Sequence, residues 1–128
     1  MKRVIFVFII ATIAFISCKK DNKDLIIGKW QTVENVYVSN IGKDSLDMRG
    51  ANEFFTFRED NTMYITNGEK EVNSNYFIKG SIMHSFVMGG SDTVKSQIIK
   101  LDNKSLTLSK ELNNFDNTKV YIHLERAK

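Results

Sequence analysis

The sequence predicts an all-β domain, an eight-stranded antiparallel up-and-down β-barrel, placed behind an N-terminal export segment. Three observations carry this expectation. From Leu25 onward the chain breaks into short runs rich in β-branched and aromatic residues, separated by Asn, Asp, Gly and Ser. Several separators have hairpin chemistry: Glu59-Asp60-Asn61, Asn67-Gly68 and Asp102-Asn103-Lys104 tolerate positive φ or bond their own backbone. No run beyond residue 24 sustains apolar residues at helical spacing over three turns.

The predicted strands cover residues 25–38, 52–58, 62–66, 75–80, 82–87, 93–101, 105–110 and 118–126. The gap from Ser39 to Ala51 holds the one place for a short helix, around Ser45 to Arg49. Met88-Gly89-Gly90-Ser91-Asp92 reads as a looser loop. Closing the meander into a barrel removes the exposed edges that an open sheet would leave unpaired. Strand parity gives the interior. Val120, Ile122 and Leu124 share one face of the last strand, Phe55 and Phe57 one face of the second, and Leu106 and Leu108 one face of the seventh.

The chain opens Met1-Lys2-Arg3 and then runs apolar from Val4 to Ile16, interrupted by Thr12. As a helix this run would span roughly 20 Å, short of the roughly 30 Å of a bilayer core and suited to a signal peptide behind a basic start. The run stops at Phe15-Ile16-Ser17-Cys18, which resembles a bacterial lipobox with Phe in place of the commoner Leu. That resemblance implies cleavage after Ser17 and lipidation of Cys18. The expected organisation is a signal peptide over 1–17, a lipidated cysteine with a flexible polar tether over 18–24, and one barrel domain over 25–128. Cys18 is the sole cysteine, which excludes an internal disulfide and leaves a thiol that acylation accounts for.

Charge points to no nucleic-acid partner. The formal net charge of +3 includes Lys2 and Arg3, which leave with the signal peptide.

Gly28-Lys29-Trp30 begins the first strand, and Leu124-Glu125-Arg126 ends the last. This pairing resembles the calycin superfamily, and within it the lipocalin-like domains common in lipoproteins of Bacteroidota. The resemblance implies a barrel whose closed end is plugged by Trp30, with Arg126 lying across the indole. Phe54-Phe55-Thr56-Phe57 before an Asp-Asn turn, and Leu106-Thr107-Leu108 near the end, fit the same layout. Independently of the family, Gly28 permits close backbone approach, Trp30 buries a large area, and Arg126 shares parity with the inward residues. These three are read as structural.

Chemistry is sparse. His84 and His123 are the two histidines, and no His or Cys cluster offers a metal site, so no metal or cofactor is expected. No Ser or Cys stands in a nucleophile elbow, and Gly89-Gly90 is followed by no phosphate-loop Lys. Asp44, Asp47, Glu53 and Glu59 fall in turns and at strand ends. The sequence therefore supports no enzyme. Part of the aromatic and methionine set is expected to line an apolar pocket at the open end. Tyr64, Tyr76 and His84 would supply its polar groups, with Phe86 and Met88 beside them.

Two roles follow as expectations. One is a membrane-anchored binding protein holding a small apolar or amphipathic ligand in the cell envelope. The other is a solid-cored barrel acting through its surface, as an inhibitor or accessory subunit of an envelope protein complex. The expected location is the outer membrane. Lys20-Asp21-Asn22 matches a surface-export signal only in part, which leaves the periplasmic and surface faces both open.

Overall fold

The computed structural model describes residues 21–90, 92–112 and 117–128. Cys18 and the signal-peptide segment lie outside these residues. A five-residue helix, α1 (Asn22–Ile26), comes first. The strands are β1 (Gly28–Ser39), β2 (Gly42–Asp47), β3 (Glu53–Phe57), β4 (Thr62–Asn67), β5 (Lys70–Lys79), β6 (Ile82–Val87), β7 (Thr93–Leu101), β8 (Ser105–Glu111) and β9 (Lys119–Arg126). Each of β3 to β8 pairs antiparallel with the next, and β1 pairs with both β3 and β9, which closes an eight-stranded barrel.

β2 is an addition to the expected eight. β3 covers the edge of β1 only from Gly28 to Gln31. Beyond that point β2 folds back and takes the vacated edge, from Glu34↔Asp47 to Ser39↔Gly42. All six of its residues are exposed, so the strand exists through backbone pairing and carries no hydrophobic alternation to read. The helix expected around Ser45 to Arg49 is therefore absent. Its place holds the end of β2 and a 3-10 turn, Arg49–Ala51, started by the Asp47 carboxylate accepting from Arg49 N at 3.0 Å.

The start of the domain also differs from expectation. Asn22, Lys23 and Asp24, placed in a tether, belong to α1, and Leu25–Ile27 precede the first strand. Ile26 is fully buried and caps the barrel end, where it joins a core of Trp30, Phe57, Tyr76, Met83, Ile98, Leu106, Leu108 and Leu124. The Asn22 side-chain amide donates to Gly80 O at 3.2 Å and pins α1 to the β5–β6 turn.

Trp30 and Arg126 lock this end. Trp30 Nε1 donates to Ile26 O at 2.8 Å, and the Arg126 guanidinium lies 4.2 Å from the indole centroid. The same guanidinium donates to three carbonyls: Leu25 (2.6 Å), Ile27 (2.9 Å) and Asn103 (2.8 Å). Gly28 makes room for it. A Cβ there would stand 2.6 Å from Arg126 Nη1, and φ of +130° is itself a conformation that L side chains avoid.

Two bulges, at Val33 in β1 and Ile99 in β7, break the regular ladders. Such bulges increase local twist and help a sheet curl shut. The expected turns are present: Asn61 and Gly68 take positive φ, and Asp102 accepts from Lys104 N and Ser105 N, both at 2.8 Å. Those two bonds, followed by nearby lysines, hold the Asp102 carboxyl below its ordinary pKa.

Gly28→Ala and Arg126→Ala should each lower unfolding free energy by about 3 kcal/mol, through backbone strain in the first and orphaned carbonyls in the second. Denaturant titration measures both. Tyr76 gives a pH prediction. Burial, followed by the Asp60 carboxylate, raises its phenol pKa above 10.0, and its hydroxyl donates to Arg58 O at 3.0 Å. A raised folded pKa means stability is complete below pH 10 and falls as pH rises past it. Tyr76→Phe should cost about 1 kcal/mol at neutral pH and flatten that alkaline decline.

Candidate functional site

The barrel has two unlike ends. The end under α1 is filled. At the other end apolar side chains at inward positions are uncovered. The register places Val72, Val87 and Val94 on the inner face, level with Ile65, Ser74 and Ser85, yet they are 44%, 49% and 43% exposed. Side chains facing the inside of a barrel reach water only where its mouth is open. Ile65 and Ile122 lie deeper and are partly buried against the core. Asn35 is opposite Ile122 on the inner face, and its Oδ1 is buried with no hydrogen-bond partner among the described residues. An apolar lining with few polar groups is the usual make-up of a small-molecule pocket.

A second opening cuts the wall. The ladder between β7 and β8 ends at Gln97↔Ser109, although β7 runs on to Thr93 and β8 to Glu111. A cleft of about 600 Å³ occupies this seam. Val94, Ser96 and Lys110 reach it from the inner face, and Lys95, Ser109, Glu111 and Lys119 from the outer one.

The residues expected to form a pocket are not brought together. Tyr64, His84 and Phe86 lie on the outer face, because inward parity in β4 and β6 belongs to Met63, Ile65, Met83 and Ser85. The Tyr64 ring packs under the Arg58 guanidinium at 4.6 Å, and its pKa is lowered, first by the neighbouring Thr56 hydroxyl and then by Arg58. His84 stacks on Phe77, ring centroids 4.5 Å apart and 8° from parallel. Tyr76 does face inward, but at the filled end, edge-on to Phe57 at 5.2 Å. Met88 follows β6 in an exposed turn. His123 faces outward as parity predicts, bonded to the Thr107 hydroxyl at 3.0 Å with Glu34 3.9 Å away.

The seam residues escaped sequence reasoning, with one exception that carried a signal. Lys110 continues the inward alternation of Leu106 and Leu108, and a lysine at an inward position marks a place where the interior is wet or charged. Nothing local distinguishes Lys95, Ser109 or Lys119.

Among the described residues no group of three or more His, Cys, Asp or Glu is arranged to hold a metal ion. No protein-family model matches the chain. No curated protein matches it by sequence. Solved structures do match. A lipocalin-like protein from Bacteroides uniformis is similar at a TM-score of 0.55 and 17% identity, over 80% of this chain and 98% of that one. An uncharacterized protein from Bacteroides eggerthii is similar at a TM-score of 0.54 and 16% identity, over 80% of this chain and 99% of that one. The fold is thus that of the lipocalin-like proteins, a closed eight-stranded antiparallel barrel.

Parity makes a clear prediction about the two faces. Val94→Trp at the mouth should fill inner space and weaken binding of any barrel ligand at least tenfold. His84→Ala and Phe86→Ala on the outer face should leave it within twofold. Titration calorimetry against the same ligand compares all three variants.

Proposed function

We propose that this chain is a membrane-anchored, lipocalin-like binding protein that holds a small apolar or amphipathic molecule in the cell envelope. The observation that carries the reading is the row of inward valines, Val72, Val87 and Val94, left uncovered at the mouth of a barrel whose other end is sealed. Burying an apolar chain against them would gain about 25 cal/mol for each Å² removed from water. The mechanism is sequestration and release, with no covalent step. In this reading the lipobox-like Phe15-Ile16-Ser17-Cys18 supplies the anchor, and acyl chains on Cys18 hold the domain at the outer membrane.

A second reading rests on a different surface. Phe77 and Ile82 stand exposed on the outer face of β5 and β6, with His84 stacked on Phe77. Such a patch suits an envelope protein partner, for which the barrel would be an inhibitor or accessory subunit.

The two separate experimentally. Protein purified from native membranes should carry an extractable small molecule, identified by mass spectrometry, that Val94→Trp protein lacks. If no molecule is recovered while cross-linking through the Phe77 face captures one defined protein, the surface reading replaces the binding one. Cys18→Ser should abolish incorporation of labelled palmitate and release the domain from the membrane fraction. Unchanged labelling would remove the anchor from the proposal.

A further inference from the structure

We propose that the seam between β7 and β8 is a head-group site for a single-chain anionic amphipath, whose tail enters the barrel beside Val94 and Ser96. The inference rests on the binding reading above and specifies the chemistry of the ligand.

Three lysines line the cleft, Lys95 in β7 and Lys119 in β9 from the outer face and Lys110 in β8 from the inner one. A single carboxylate, Glu111, shares the lining. Among the described residues none of the three lysines has a carboxylate within ion-pair distance, although four such pairs form elsewhere. Lys119 instead sits 5.7 Å from the centroid of the Tyr121 ring. Like charges gathered at a cleft repel one another, so the arrangement favours an anion between them.

Ser109 supplies a second, independent sign. Its side chain lines the same cleft and the residue is only 2% exposed, yet its Oγ has no hydrogen-bond partner among the described residues. A buried hydroxyl without a partner is costly and calls for one. An oxyanion placed between the lysines would accept from it, in a charge-assisted bond stronger than a neutral one.

The seam also explains how an amphipath could use both openings. Here the wall lacks its ladder, and inner-face residues share the cleft with outer-face residues. Val94 lines the cleft from the inner face and belongs to the uncovered apolar mouth. A head group at the seam would therefore leave its chain against Val94 and Val87. Polar Ser96, buried on the inner face, marks the transition.

The test uses the full chain in neutral maltoside detergent with three eight-carbon probes, octanoate, octyl phosphate and octanol, scored by native mass spectrometry. Both anions, or one of them, should bind at least tenfold more tightly than octanol, and the stronger anion distinguishes carboxylate from phosphate recognition. The combined variant Lys95→Gln, Lys110→Gln, Lys119→Gln should bring the anions down to the octanol level. Ser109→Ala should weaken anion binding about fivefold while its thermal midpoint stays the same or rises, since it removes an unpartnered hydroxyl. Octanol binding as tightly as the anions, or a lysine variant binding like the parent, overturns the head-group site and leaves the barrel reading standing. Failure of all three probes to bind folded protein overturns both.

Discussion

The Arg126 guanidinium is the point on which this fold turns. It lies across the indole of Trp30, occupies the space that a side chain at Gly28 would take, and ties down carbonyls from Leu25, Ile27 and Asn103. Those groups come from the start of the domain, the first strand, the last strand and the turn between β7 and β8. One planar cation with five donors thus joins segments about a hundred residues apart in sequence. It does so where the barrel must also close, because Trp30↔Arg126 begins the β1–β9 ladder. Stacking contributes to the pair, but the larger effect is that several backbone acceptors at a buried helix end and a turn are satisfied by one side chain.

Sealing one end has a consequence for the other. The largest buried side chains, Trp30, Tyr76, Phe57 and Ile26, are all spent under the Arg126 lock. The opposite end carries Val72, Val87 and Val94 with serines, Asn35, Tyr37 and Lys110 at its inward positions, and there the valines stay exposed. A barrel of eight strands can be filled by side chains or can hold one small ligand. In this chain one end is filled and valines at the other are uncovered, and the fold by itself is compatible with many functions. The proposed binding site lies at the uncovered mouth and at the seam where the β7–β8 ladder stops.

That seam follows from competing pairings. β7 stays on β6 as far as Thr93↔Phe86, and β8 stays on β9 as far as Glu111↔Lys119. Each strand keeps one partner, and the bulge at Ile99 adds twist between them, so their own ladder stops early. Lys95 and Lys119, which nothing local in the sequence distinguishes, then share one cleft with the inward Lys110. Sequence parity carried Trp30, Arg126, Leu106, Leu108 and His123 to the correct faces, since alternation is a local property of each strand. It left Tyr64, His84 and Phe86 as pocket candidates, because their inward neighbours Met63, Ile65 and Met83 are apolar as well. When both faces of a strand carry apolar side chains, alternation alone does not choose between them.

The sequence by itself determined the all-β class, the turns at Asn61 and Gly68, the first and last strands that meet, and the aromatic and arginine pair that makes them meet. These depend on local backbone preference and on side chains whose size or charge leaves few alternatives. Only the tertiary structure decided that β2 replaces β3 along β1, that α1 and Ile26 form the plug, and that Lys95, Lys110, Lys119 and Ser109 share a cleft. Each of these arises from what a neighbouring strand leaves unpaired or uncovered. That vacancy belongs to the assembled barrel, and no single segment of the chain encodes it.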